Sequence, residues 1–307
     1  MDWINKRVFV TGGAGFIGSH LSKRLAREGA HVYFFIHHKY PEMPVKNPFI
    51  GDLTSKNQLA FENYLKDLQP EVVFHLAAQP LVSIAAQDEL PTLRINIEGT
   101  YNLLHSLKGV ESVKSVVHVS TDKVFGNQPV IQKDSPLQGE THPYNASKAV
   151  GDVITQMYAN YFEIPTVIVR HANVYGAGDT HFDRIIPRTI KQVLDGKPPV
   201  IRGDGSNTRD YIHVDDVVEA YLKASELPLT QKLSTLNIGG FNHSVAEVVH
   251  EILGKLDRID LSPKYESQWK GEIPHQHIAT EEEWKPNINL DIGLDMTIGW
   301  YKENYGN

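Results

Sequence analysis

The chain alternates short, continuous apolar runs with stretches of helical spacing. RVFVT (7–11) is a β-branched run that opens the pattern. After a glycine-rich turn, Ile17, Leu21 and Leu25 recur on one helical face, and Gly29 stands where a helix-ending glycine would. VYFFI (32–36) is apolar throughout, as in a strand covered on both faces. The rhythm repeats. EVVFHLAA (71–78) reads as a strand, 92–107 as a helix, SVVHVST (115–121) as a strand, about 144–162 as a long helix and PTVIVRHANVYG (165–176) as another strand. Buried strands alternating with helices predict an α/β fold with a doubly wound parallel sheet.

After Gly176 the rhythm changes. DRIIPRTIKQVLDGK reads as a helix. The next 28 or so residues read as a short strand, a turn, a strand and a helix, and the tail from about residue 227 ends in the helix GLDMTIGWYKENY. The pattern predicts a main domain over 1–172 plus about 207–226, and a smaller C-terminal lobe over 173–206 plus 227–307.

Composition narrows the function. A net charge of -7 argues against nucleic-acid binding, which needs a basic surface, but leaves room for an anionic small molecule in a local pocket. The absence of cysteine excludes disulfides, thiolate catalysis and cysteine-held metal; no metal site is expected. MDWINKRVFVTGG runs straight into a strand without a signal-type apolar segment, and no run is long enough to span a membrane. A cytoplasmic globular protein is therefore expected.

TGGAGFIG (11–18) places Gly12, Gly15 and Gly18 between a strand and a helix, with Phe16 and Ile17 at the helix start. In that context the glycines allow a tight turn and close approach to a pyrophosphate, whose charge meets the helix N-terminus. The acid that commonly holds the adenosine ribose would fall near Ile36, and none is there; His37, His38 and Lys39 follow instead. They favour NADP, with NAD still possible if this is only a solvated loop. In GDL (51–53), Asp52 beside Leu53 suits the adenine amine, or equally a helix cap.

YNASK sets Tyr144 and Lys148 four apart, on one helical face. An ammonium there, with a cationic nicotinamide ring, would stabilise a phenolate able to take a proton from an alcohol.

TGGAGFIG, HLAAQ (75–79), RINIEGTYNLL (94–104), VSTDKVFG (119–126), PYNASK (143–148), RHANVYGAGD (170–179) and RDYIHVDDV (209–217) occur in the order and spacing of the extended short-chain dehydrogenases/reductases acting on nucleotide sugars, which the chain resembles over nearly its whole length. The resemblance implies a Rossmann domain that binds the dinucleotide, also through Leu76, Ala77, Ala78 and Gln79, and a smaller lobe that binds a nucleoside diphosphate. It further implies a homodimer formed through two helices per subunit. Asn96 matches the asparagine that steadies the active-site strands, or it simply caps or packs. His75 reads as a satisfied core histidine.

Thr121, Asp122 and Lys123 sort the chemistry. Thr-Asp-Lys is similar to the UDP-N-acetylglucosamine and CDP-glucose 4,6-dehydratases, whereas the dTDP-glucose enzymes look like Thr-Asp-Glu. NVYGAGDTHFDRIIP also resembles the CDP-glucose enzymes. The resemblance implies that Tyr144, with Thr121, handles the 4-hydroxyl, that Lys123 removes the carbon-5 proton and that Asp122 protonates the departing 6-hydroxyl. A dry pocket favours the neutral forms these roles need, while mutual attraction favours the ion pair. Alternatively Lys123 only braces the loop.

On the substrate side the resemblance implies diphosphate contacts from Asn173 and Arg209 and a base cradle at Val200 and Ile201, with Arg184 a further cation. Arg209 could instead pair with Asp210 or Asp204. Where many relatives have Arg-Pro-Gly-Asp, this chain has WKGEIP, so Lys270 would replace a guanidinium fork by a point charge. The expectation is an NADP-dependent nucleotide-sugar 4,6-dehydratase acting on UDP-N-acetylglucosamine. A 4-epimerase or a 4-keto-sugar reductase or dehydrogenase is the alternative.

Overall fold

Strands that are apolar along their whole length must be covered on both faces, and the chain stacks them side by side. A computed structural model describes residues 2–37, 48–55, 58–139, 142–227, 232–267, 273–279 and 284–306. The first elements are β1 (Arg7–Thr11), α1 (Phe16–Arg27), β2 (His31–Ile36), β3 (Phe49–Ile50), α2 (Gln58–Leu68), β4 (Val72–His75), α3 (Val82–Gln87), α4 (Glu89–Leu93) and α5 (Gly99–Ser106). Then come β5 (Ser115–Thr121), β6 (Val130–Ile131), α6 (Pro143–Tyr161), β7 (Thr166–His171), β8 (Asn173–Tyr175), α7 (Ile185–Leu194), β9 (Val200–Arg202), β10 (Thr208–His213) and α8 (Val214–Ala224). The chain closes with β11 (Leu233–Ile238), β12 (Phe241–Ser244), α9 (Val245–Lys255), β13 (Lys264–Glu266), β14 (His277–Ile278) and α10 (Leu290–Tyr305).

The chain divides into two units. The first, Met1–Gly126 with Pro136–Arg170 and Val218–Leu236, is built on a seven-stranded parallel sheet in the order β11-β7-β5-β4-β1-β2-β3. This is the expected doubly wound, Rossmann-like sheet, whose order reverses at β1 and β4 and so opens a crevice at their C-terminal ends. Its core joins Phe9, Val73 and Val116 of the sheet to Phe61 and Leu65 of α2 and Leu103 and Leu104 of α5. Each such side chain, fully buried, contributes roughly 1.5–3 kcal/mol.

The second unit, Asn127–Ser135 with His171–Val217 and Asn237–Asn307, carries three small sheets: β12-β10-β8, β13-β9 and β14-β6. Ile186 and Ile190 of α7, Val248 and Ile252 of α9, and Leu294 and Ile298 of α10 form its core with Tyr175, Tyr211 and Tyr301.

Two elements depart from the sequence expectation. The run 165–176 is two strands: β7 stays in the large sheet, and β8 pairs with β10 in a different one. The helix expected over 92–107 is α4 and α5 joined by a π-helical turn at Arg94–Glu98. Such a turn inserts a residue and swings Asn96 inward, where it is buried; periodicity alone does not reveal it. Among the described residues no helix is long and apolar enough to cross a membrane.

Candidate active site

The turn after β1 is shaped by contact. Gly12 sits at φ +71, and a Cβ there would lie 2.7 Å from the Ala77 nitrogen. A Cβ on Gly18 would collide with the Gly12 carbonyl oxygen. So β1, the end of β4 and the first turn of α1 pack backbone to backbone. Gly15 is the N-cap of α1, which has no side-chain cap and no acid in its first turn, begun by Phe16 and Ile17. An uncapped helix N-terminus behind a glycine turn fits a pyrophosphate. Leu76 and Ala77 are held by Thr11 through its carbonyl oxygen and Oγ1, at 3.1 and 3.2 Å. Gln79 donates its backbone N–H to Asn96 Oδ1 at 2.8 Å, and its amide donates to Thr92.

At the ribose end, His37 is exposed and its Nε2 lies 3.9 Å from Asp52 Oδ2. The carboxylate absent from β2 thus arrives from beyond β3. Asp52 also accepts from the backbone and hydroxyl of Thr54, both at 2.8 Å, so it closes its own turn and is not the helix cap offered from sequence, α2 running Gln58–Leu68. Asp52 and Leu53 line a recess with Phe35, Phe49 and Ile50. His38, Lys39 and Lys270 lie outside the described residues.

At the end of β5, Thr121 caps a single 3₁₀ turn, Asp122–Phe125. Thr121 Oγ1 donates to Asp122 Oδ1 at 2.9 Å and accepts from the Lys123 N–H at 3.3 Å. Lys123 Nζ donates to Asp122 Oδ2 at 2.9 Å. Thr121 and Asp122 are buried, and Lys123 is largely so. The Asp122 carboxyl is therefore in contact with an alcohol on one oxygen and an amine on the other.

Tyr144 and Lys148 lie on the buried face of α6. Lys148 Nζ donates to the Val119 carbonyl oxygen at 2.6 Å, tying the helix to the strand that carries Thr121. Burial lowers the Lys148 pKa to about 8, while the nearby Asp152 carboxylate opposes the shift. His142 caps α6, accepting the Tyr144 N–H on Nδ1 at 3.1 Å; burial lowers its pKa and favours the neutral ring such a cap needs. Asn96 Nδ2 donates to Ser147 Oγ at 2.9 Å, and Ser147 Oγ donates to the Tyr144 carbonyl oxygen at 2.7 Å. The π turn, the end of β4 and the Tyr144 helix are thereby linked. His142 and Ser147 were not singled out from sequence, although both stand within three residues of Tyr144. His75 is a core histidine bonded to Thr11 and Thr100, and burial takes its pKa down to about 3.

In the second unit, Asn173 on β8 donates to the Asp210 carbonyl oxygen at 3.3 Å. Arg209 Nη1 donates to the carbonyl oxygens of Thr208 and Pro274, at 2.8 and 3.1 Å. Asp210 receives Asn242, His277 and the Ile278 N–H. Arg184, the residue before α7, pairs with buried Asp179 at 2.9 Å. On β9 the Ile201 side chain lies in the core with Val193, Val249 and Leu253, while the Val200 carbonyl oxygen accepts from Arg188 at 3.2 Å. Arg188, not anticipated from sequence, is a further half-buried cation; only the fold brings α7 to β9. Among the described residues no cluster of three or more potential ligands could hold a metal ion.

Known proteins share this fold. Residues 8–239 match the model of the NAD dependent epimerase/dehydratase family. A UDP-N-acetyl-alpha-D-glucosaminuronate decarboxylase of Bacillus cytotoxicus is 30% identical, covering 98% of this chain and 99% of its own. A probable dTDP-glucose 4,6-dehydratase of Sinorhizobium fredii is 31% identical over 97% of this chain and 93% of its own. The crystal structure of a UDP-glucuronic acid 4-epimerase variant from Bacillus cereus, in complex with NAD and a fluorinated UDP-sugar, is 27% identical with a TM-score of 0.87, over 97% of this chain and 99% of that one. The three names span decarboxylation, dehydration and epimerisation on one framework. The chain is an enzyme of the NAD dependent epimerase/dehydratase family, the extended short-chain dehydrogenases/reductases.

Proposed function

We propose that the protein is a nucleotide-sugar 4,6-dehydratase that acts on UDP-N-acetylglucosamine with NADP. The observation that carries the reading is the contact set at the end of β5, where Lys123 and Thr121 both reach the Asp122 carboxyl. Elimination across carbons 5 and 6 needs a base and an acid side by side. A proton passed from Lys123 to Asp122 along their 2.9 Å contact leaves a neutral amine and a carboxylic acid.

The bound dinucleotide supplies hydride acceptance at carbon 4 and hydride return at carbon 6. Tyr144, beside the Lys148 ammonium, takes the 4-hydroxyl proton, and Thr121 orients that hydroxyl. The resulting ketone acidifies the hydrogen on carbon 5. Lys123 removes it, and Asp122 protonates the leaving 6-hydroxyl. Gly12, Gly15 and the α1 N-terminus would hold the pyrophosphate, Asp52 and Leu53 the adenine, and Leu76 to Gln79 would contact the dinucleotide from the end of β4. In the second unit Asn173 and Arg209 are assigned to the diphosphate and Val200 to the base, with Arg184 and Lys270 supporting them and Ile201 packed in the core behind β9. His37, where an acid would repel a 2′-phosphate, supports NADP; Asp52 beside it and the NAD bound by the Bacillus cereus relative support NAD. A 4-epimerase is the second reading, favoured by the same contact taken as a brace for the turn.

The test is incubation with UDP-, CDP-, dTDP- and GDP-sugars, with NADP or NAD, followed by mass spectrometry. UDP-N-acetylglucosamine is expected to lose one water without net dinucleotide turnover. Unchanged mass with inverted carbon 4 establishes the epimerase, and stoichiometric dinucleotide turnover establishes an oxidoreductase.

The reading includes a cytoplasmic homodimer. On α6, Val150, Val153, Met157 and Tyr161 form an exposed apolar stripe opposite the Tyr144 face, and Tyr101 on α5 is exposed as well. Water-facing apolar stripes on paired helices suit a partner helix pair. Light scattering should give twice the 34.5 kDa chain mass, and Val153→Lys with Met157→Lys should give the monomer mass. A monomeric parent protein at micromolar concentration removes the dimer.

A further inference from the structure

The buried face of α6 carries Tyr144, Lys148 and Asp152 at successive four-residue steps, so the three side chains follow one another along the helix. Asp152 has no exposed surface. Its Oδ2 accepts from Arg170 Nε on β7 at 2.7 Å. Its Oδ1 makes no direct hydrogen bond and lies 3.7 Å from His118 Nε2 on β5. Arg170 is buried too, and its guanidinium stands 5.2 Å from the ring centroid of Phe125, the last residue of the Asp122–Phe125 turn. Apolar residues of equal volume would fill such a site without any charge to desolvate, so packing alone does not account for the carboxylate.

Its nearest charge on the helix is the Lys148 ammonium, which burial destabilises and which Asp152 supports. His75 on β4 and His118 on β5 both feel the Lys148 charge, Arg170 on β7 acts on His118, and Tyr144, one turn before Lys148, has Tyr221 of α8 near it, while Asp122 and Lys123 follow the end of β5. Among these, Asp152 is the anion placed one turn from Lys148 on the same buried face.

We propose that Asp152 is a positioning residue that acts through Lys148: pinned by Arg170, its carboxylate keeps the lysine an ammonium beside Tyr144. The inference rests on the reading of Tyr144 and Lys148 as the proton-handling pair. Arg170 is a poor target for a first test, because it also touches the ring of the Asp122–Lys123 turn.

The experiment follows Lys148 itself and the reaction separately. Competitive acetylation with trace acetic anhydride, quantified by mass spectrometry across pH, reads the ionisation of Lys148 in the full-length protein. In Asp152→Asn its midpoint should fall by about one pH unit, and Asp152→Glu should restore most of that change. The alkaline limb of dinucleotide reduction by nucleotide sugar should fall by the same amount. If Asp152→Asn does not fold, Asp152→Ser removes the carboxylate while leaving Arg170 a hydrogen-bond acceptor, and should show the same shift. An unmoved midpoint in a folded variant overturns the proposal, since a purely structural role changes only melting temperature. A moved midpoint in a protein with no dinucleotide reduction leaves the proposal standing and instead removes the proposed function.

Discussion

Lys123→Ala should stop the loss of water while leaving carbon-4 oxidation detectable. Positioned acid–base groups contribute about 10²–10⁴-fold to a proton-transfer step, equivalent to roughly 3–5 kcal/mol of barrier. Lys123 reaches Asp122 at 2.9 Å, and Asp122 keeps its second contact, from Thr121, when the amine is removed. The turn is therefore expected to survive, because Thr121 still accepts from the N–H of residue 123. Tyr144 and Lys148 stand on a different element and are untouched. The variant should still reduce bound dinucleotide in a stopped-flow experiment with UDP-N-acetylglucosamine. It should not exchange the carbon-5 hydrogen with deuterated solvent. Normal dehydration by this variant would remove Lys123 from the mechanism and leave the carbon-5 proton to another base. Loss of both oxidation and exchange would instead show that the turn had collapsed, which circular dichroism can report.

Acid should destabilise the fold well before its carboxylates titrate. His75 and His118 are buried in the first unit, and burial lowers the pKa of both, that of His75 to about 3. Lys148 adds to the lowering at each. A group whose folded-state pKa is depressed contributes stability above its unfolded value of about 6.5 and loses it as pH falls toward the folded value. Between those values the unfolded chain binds a proton that the folded chain does not. For His75 this costs roughly 1.4 kcal/mol per pH unit, or about 2 kcal/mol from pH 6.5 to 5. His118 acts in the same direction, so acid removes a sizeable share of the margin of a typical domain. Urea unfolding at pH 7.5, 6.5 and 5 and fixed protein concentration measures it. His75→Asn should flatten the dependence. A midpoint that does not move between pH 7.5 and 5 would show that the folded protein protonates these rings freely.

Much of the framework was legible because it is written in local periodicity. An apolar run such as VVFH is a strand covered on both faces wherever it is placed. Tyr144 and Lys148 share a helical face by spacing alone. The glycines after β1 announce a turn that needs positive φ and close packing. Features that depend on non-local contacts were not legible. The π turn at Asn96 follows from the amide reaching Gln79 and Ser147, 17 residues before it and 51 after. Ile201 was expected to cradle a base, yet its side chain belongs to the core. His37 looked like one of a basic trio, and a carboxylate from beyond β3 stands next to it.

Local sequence thus sets the doubly wound sheet, the turn that suits a pyrophosphate and the placing of Tyr144 and Lys148 on one face of one helix. Each depends on residues within a turn or two of one another, where bond geometry sets the spacing. Only the tertiary structure decided which groups meet: Asp122 with both of its neighbours, Arg170 with Asp152, and Asn96 with the Tyr144 helix. Those encounters depend on the strand order that sets β7 beside β5 and on the depth to which each side chain is buried, and both are settled by packing across the whole sheet.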